Sequence, residues 1–239
     1  RTRDNVPLRR RIVTFFDGRA MVLTSAAGLL LVALVMTLSR SGLFGLAAAA
    51  AAGIVLGLRH EGSTGRARWW LAAAIALALG LTLAELSPAA FGARLSAYRV
   101  SAGDRWLIWQ DTVPILRDFW LTGTGAGTYL TSMLVYQRSS PGWLFNQAHN
   151  HYLQVASEGG LLVGVPVLMA LVCLAREGWI AVTGDRSGMY WIRAGALCSL
   201  AAVAAQSAWE TGLTMPANAA LAALAAAIAV HDPSPHTRR

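Results

Sequence analysis

The sequence predicts an all-α fold, a polytopic membrane helical bundle of about six spans with a long extracytoplasmic loop that contains short surface helices. Three observations predict it. The 239 residues are 55% hydrophobic and 13% charged, where an ordinary soluble domain carries roughly 25% charge. Several apolar runs approach the roughly 20 residues that a spanning helix needs. Those runs also lack the polar face that a soluble amphipathic helix turns to water.

Composition narrows the function classes. All 20 basic residues are arginine, and the net charge is +8. In a membrane protein such charge sorts loops between the two faces, so the basic balance does not point to nucleic acid. Cys173 and Cys198 both fall inside apolar runs and read as small packing residues, not as a disulfide or a metal pair. The chain opens on Arg1 without a signal-peptide pattern. It reads as one membrane domain over 1–239, the C-terminal part of a longer protein.

In chain order, residues 1–19 are polar and basic. From Ala20 to Leu58 the only charge is Arg40. At about 1.5 Å per residue an unbroken helix over that run would reach nearly 60 Å, roughly twice the hydrocarbon thickness. The run must fold back, and Ser39-Arg40-Ser41-Gly42 is the polar, flexible place for a tight turn, giving spans at about 20–38 and 42–58. Arg59 to Arg68 is a short basic loop. Trp69 and Trp70 open a third span, about 69–86, with their indoles at the interface, and Ser87-Pro88 ends it.

Residues 87–158 form the only long non-spanning segment. Within it, Asp104, Arg105, Asp111, Arg117 and Asp118 are interleaved with Trp106, Trp109 and Trp120. That mixture predicts a helix on the membrane surface, broken or kinked near Pro114. Gly123-Thr-Gly-Ala-Gly127 is a turn-rich link, and Thr128–Tyr136 a short helix or extended piece. The fourth span covers about 161–175, with a helix start as early as His151. A loop over 176–191, a fifth span at about 192–208, a linker from Glu210 to Pro216 and a sixth span at about 217–230 complete the order. Six spans put both termini on one side, which collects fourteen arginines against six on the other. The positive-inside bias then sets the termini in the cytoplasm and residues 87–158 outside.

The outward segment holds Phe145-Asn-Gln-Ala-His149-Asn150-His151-Tyr-Leu-Gln154, closed by Ser157-Glu158-Gly-Gly160. Polar groups beside a bilayer are costly unless paired or wetted, which marks this cluster as a functional candidate. His149 is the candidate base, since a neutral imidazole beside arginines can take a proton from a hydroxyl. The bland alternative is a structural histidine tied to a backbone carbonyl. His149 and His151 point to different helix faces and have no Cys or third His nearby, so no metal is expected. Asn150, Gln154 and Glu158 are supporting candidates that orient the base or the acceptor, although Glu158 alternatively caps a helix.

Two arginines are the candidate anion ligands. Arg40 is either a snorkelling side chain at a helix end or a grip for phosphate through two parallel hydrogen bonds. The short turn, on the arginine-poor side, favours the grip. Arg105 is either salt-bridged to Asp104 or Asp111, or a second anion ligand near a helix start. Arg94 and Arg99 read as solvated. The glycines of 123–127 lack the strand and the lysine of a nucleotide-binding loop.

Taken in order, Ser39-Arg40-Ser41-Gly42, Arg105-Trp-x-x-Trp109, Gly125-x-Gly127 and His149-Asn150-x-Tyr152-Leu153 followed by Glu158-Gly159 resemble the O-antigen ligase and O-antigen polymerase superfamily of bacterial membrane glycosyltransferases. The likeness covers nearly the whole chain and departs from the family in lacking its N-terminal half. It implies a metal-independent, inverting glycosyltransferase without cofactor, multi-pass in the bacterial inner (cytoplasmic) membrane, with its active site facing the periplasm or cell exterior. The implied donor is a glycan on undecaprenyl diphosphate held by Arg40 and Arg105. The implied acceptor is lipid A–core or another glycan, its hydroxyl activated by His149. Polymerase and protein O-oligosaccharyltransferase activities of the same superfamily are alternatives. A polysaccharide transporter or flippase component is the alternative from another class. It expects mid-membrane charges, which the predicted spans lack apart from Glu85, near an end.

Overall fold

The computed structural model describes residues 18–37, 39–60, 105–139 and 142–231, and every regular element among them is helical. In chain order these are α1 (Gly18–Met36), α2 (Arg40–Arg59), α3 (residues 105–118), α4 (Tyr129–Tyr136), α5 (His151–Gly184) and α6 (Tyr190–Ser207). A single 3-10 turn, Gly212–Thr214, precedes α7 (Pro216–Val230). The expected third span at 69–86 lies outside the described residues, as do Arg94, Arg99 and Asp104.

Among the described residues two helices, Ser41–Arg59 and His151–Gly184, are long and apolar enough to cross a membrane; Met21–Leu34 and Pro216–Val230 are apolar but shorter. Neither long helix is mostly buried, as the core helix of a soluble protein would be. Only 11% of the α5 window is buried, and Leu161, Leu162, Val163, Leu168, Met169 and Val172 all stand exposed. An apolar face of that extent suits a lipid solvent, where a helix satisfies its own backbone polar groups and needs no polar side chains outside.

The bundle is built on close approach of small residues. Ser39 ends the α1–α2 turn and caps α2, its side chain accepting from Gly42 N at 3.2 Å, which meets one of the donors a helix start leaves unpaired. The Ala-rich α2 packs chiefly on α6. A Cβ on Gly45 would lie 3.1 Å from the Ala202 carbonyl oxygen, the kind of backbone contact that small residues permit between membrane helices. At the far end of α2, the Tyr190 hydroxyl donates to Leu56 O at 2.6 Å, and Leu56, Val182, Tyr190 and Ala194 bury one another. Arg193, itself buried, donates to Ala181 O at 3.1 Å and His231 O at 2.7 Å, so one guanidinium ties α5, α6 and the end of α7.

Two expectations are corrected. The loop at 176–191 shrinks to residues 185–189, because α5 continues to Gly184. Arg176 and Glu177 pair with each other on its exposed surface, so their charge does not interrupt the intrahelical ladder. Helix α3 also stays helical through Pro114 from 105 to 118, so of the break or kink expected there the break is absent. Its Ile108 and Ile115 are buried against Tyr129, Met133 and Ala148, with Trp109, Phe145 and Leu153 packed around them. Packing of that apolar face outweighs the hydrogen bond that the proline removes.

Helix α5 is continuous in outline but not in backbone. Gly160 has φ 57 and ψ −158, a non-helical step inside the helix. Residues 120–125 fill the gap. Thr124 N donates to Ser157 O at 3.0 Å and Gly125 N to Glu158 O at 2.9 Å, while Leu161 N and Leu162 N donate to Trp120 O and Leu121 O at 2.9 and 3.0 Å. The carbonyls above the break and the N–H groups below it therefore find partners in one loop.

Candidate functional site

His149 is held by its neighbours before any ligand arrives. Ala148 is fully buried; its carbonyl accepts from Trp109 Nε1 at 2.9 Å, and its N–H donates to Gln154 Oε1 at 3.0 Å. Asn150 caps α5, its Oδ1 accepting from Leu153 N at 3.0 Å. Between two pinned residues, His149 takes φ 49, the only positive φ at a non-glycine among the described residues. Such a conformation costs about 1–3 kcal/mol and persists only where the surroundings over-determine it, a condition that clusters at functional sites.

The supporting residues act on the backbone. Gln154 braces Ala148 and donates from Nε2 to Glu158 Oε1 at 3.2 Å. Glu158 accepts from Gly127 N at 3.0 Å and from Tyr129 N at 3.2 Å, so it closes the glycine turn and caps the start of α4. Beneath, the Tyr129 hydroxyl meets Thr112 Oγ1 at 2.7 Å. Burial pushes its pKa up to about 12.

Of the two partners expected for Arg105, only Asp111 is among the described residues, and it is engaged elsewhere. Asp104 lies outside the described residues. Asp111 is buried and accepts from the backbone N–H groups of Arg138 and Ser139, both at 3.1 Å. Arg105 Nη2 instead donates to Glu210 Oε1 at 2.5 Å. The other oxygen of that carboxylate, Oε2, lies 3.5 Å from His149 Nδ1. That separation is within ion-pair reach, yet Nδ1 is buried and makes no hydrogen bond. Arg105 and His149, 44 positions apart in the sequence, thus meet across one carboxylate.

The backbone of Glu210 is fixed from three directions. Its N–H donates to Gln206 O at 3.0 Å in the last turn of α6. Trp209 lies between Phe44 of α2 and Trp109 of α3, with ring centroids 6.0 and 5.7 Å away. Thr211 donates its hydroxyl to Gln147 Oε1. Neither Glu210 nor Trp209 was among the site candidates: a lone acid in a linker and one tryptophan of nine carry no pattern of their own.

The Ser-Arg turn reaches the same place. Ser39, Ser41, Gln147, Gln206, Glu210 and Thr211 line a polar cavity of about 290 Å³. Arg40 is the first helical residue of α2; its side chain is not among those described. A larger groove of about 460 Å³ runs between α6 and α7 past Leu200, Val203 and Leu221, and shares Gln206 and Gly212 with the polar cavity. Among the described residues no three His, Cys, Asp or Glu side chains gather as a metal site would require.

Residues 25–168 match a family model described as O-Antigen ligase. No curated protein and no solved structure matches the chain.

Proposed function

The chain belongs to the O-antigen ligase family, and from that premise we propose that it moves a glycan from undecaprenyl diphosphate to a hydroxyl of lipid A–core or of another glycan. Three groups carry the chemistry. Arg40 and Arg105 hold the diphosphate, whose negative charge grows as the glycosidic bond breaks. His149 takes the acceptor proton on Nε2 while the acceptor oxygen attacks the anomeric carbon, inverting it. The electron pair of the broken carbon–oxygen bond leaves with undecaprenyl diphosphate. Positioning and charge screening suffice for so good a leaving group, and no metal is required. The reaction runs on the periplasmic or outer face of the inner membrane, with residues 87–158 outside and the chain spanning the bilayer as a bundle of about six helices.

One observation carries the reading: the Ser39–Ser41 turn and the Glu210 loop line one cavity, and Glu210 bridges Arg105 to His149. The apolar groove that continues from this cavity suits a prenyl chain whose headgroup sits among the polar residues. At the opposite end of α2, about 30 Å away for a 20-residue helix, Arg59 stacks over Trp179 at 5.0 Å. An arginine beside tryptophan at a helix end fits a cytoplasmic interface.

The test is transfer by the purified full-length protein from undecaprenyl-diphosphate glycan to lipid A–core, with glycan and peptide acceptors in parallel. His149→Ala, Arg40→Ala and Arg105→Ala should each lose transfer at least a hundredfold, and chelator should change nothing. A fully active His149→Ala, or activity that chelator abolishes, overturns the mechanism. Transfer only to glycan or only to peptide would move the chain to a polymerase or a protein glycosylation enzyme.

A further inference from the structure

We infer that Glu210 is a positioning residue that senses the donor, an inference that rests on the proposed roles of Arg105 and His149. In the site as it stands, one carboxylate serves two cations unequally. Oε1 is 2.5 Å from the Arg105 guanidinium, while Oε2 stops 3.5 Å from His149 Nδ1. That nitrogen is buried without a hydrogen bond, which is costly for a polar group. The same guanidinium is the group a diphosphate would take.

A diphosphate offers more charge than a carboxylate and matches the planar guanidinium with two parallel hydrogen bonds. When it takes Arg105, Glu210 loses its first partner. A shift of well under 1 Å brings Oε2 within the roughly 2.7–3.0 Å of a charge-assisted hydrogen bond to Nδ1. Only the side chain has to move, because the backbone is held by Gln206, by the ring contacts of Trp209 with Phe44 and Trp109 and by the Thr211–Gln147 bond. There is room, since Arg105, His149 and Glu210 all keep about a third of their side-chain surface open.

The closed contact fixes the proton on Nδ1 and leaves Nε2 free to accept one, and it stabilises the imidazolium formed during transfer. The base is therefore completed by the donor. Before the donor binds, Glu210 occupies Arg105 and the imidazole lacks its orienting partner, so idle proton transfer to a bound acceptor is suppressed. Glu210 thus opposes donor binding and favours turnover, two effects that a purely structural residue would not split.

The experiment measures both effects on full-length wild type, Glu210→Gln and Glu210→Asp. Binding is read with undecaprenyl diphosphate carrying no glycan, and turnover with the glycan-bearing donor at saturation. Glu210→Gln should bind undecaprenyl diphosphate about fivefold tighter, the size of a part-exposed ion pair removed, while its turnover falls at least tenfold. Glu210→Asp keeps the charge with a shorter reach and should recover part of the turnover and lose the gain in affinity. Weaker binding together with slower turnover, or unchanged turnover, overturns the inference. If Glu210→Gln fails to fold, the Asp variant carries the test, since equal loss of affinity and turnover there has the same meaning. Arg105→Ala and His149→Ala are the controls. Their full activity would sink the reading of the site itself, whereas inactive controls beside an unsplit Glu210→Gln would sink the Glu210 inference alone.

Discussion

Replacing Gly160 by alanine should detach the segment that carries His149 from the helix below it. A Cβ at that position would lie 2.5 Å from Gly123 N and from the Leu121 carbonyl carbon and oxygen. All three atoms are backbone, so no rotamer change relieves the overlap. The dihedrals, φ 57 with ψ −158, fall in territory nearly reserved for glycine, at a cost of about 1–3 kcal/mol for another residue. Overpacking against a fixed neighbour adds about 1–3 kcal/mol, and a sum near 4 kcal/mol is a large share of the roughly 5–15 kcal/mol that holds a domain folded. At roughly 2–4 °C per kcal/mol for a chain of this size, the midpoint of thermal unfolding in detergent should fall by about 8–16 °C. Amide exchange should quicken selectively at Thr124, Gly125, Leu161 and Leu162, whose N–H groups cross the break. Transfer should fall with it, because the turn at 123–127 reaches His149 through Glu158, Gln154 and Ala148. A variant that melts within 2 °C of wild type with unchanged exchange at those amides would show that the break is not locked by the loop.

Three further outcomes are expected. Glu158→Ala leaves the N–H groups of Gly127 and Tyr129 without their acceptor, a loss of about 2–3 kcal/mol that should appear as faster exchange at the start of α4 before any change in the spanning helices. His149→Asn should remain folded and melt at or slightly above the wild-type temperature, because asparagine accepts a left-handed φ more readily, while transfer is abolished; a lower melting temperature would argue that the imidazole itself holds the loop. Tyr129 has its pKa raised from 10.0 to about 12, so the folded state binds its proton more tightly than the unfolded chain. That contribution is complete below pH 10 and is lost as pH climbs through 12. Tyr129→Phe should be less stable at neutral pH for want of the bond to Thr112, and the two melting curves should converge between pH 10 and 12.

How much of this could be read from the residues alone follows from which signals are local. The Ser39-Arg40-Ser41-Gly42 turn was legible because an apolar run of that length has to fold back at its one polar point. His149 drew notice as a candidate because imidazoles are conspicuous beside an apolar run, but its left-handed backbone, φ 49, was not foreseeable. The start of α5 near His151 was also visible, with Asn150 standing as its cap. Glu210 was not, because its role comes from where α6 ends relative to α3, a long-range relation that no spacing encodes. Arg105 was given near neighbours in sequence as partners, whereas the structure pairs it with Glu210, 105 positions away. The misread loop at 176–191 shows the opposite error. Arg176 and Glu177 look like a helix terminus, yet charged side chains on an exposed face leave the backbone ladder untouched.

The break at Gly160 has a mechanical consequence. Because residues 120–125 are bonded to both limbs of the broken helix, the two limbs form a stiff corner instead of a hinge. In the membrane placement proposed above, a thicker or thinner bilayer that obliges the lower limb to tilt would swing the upper limb, and the imidazole it carries, with it.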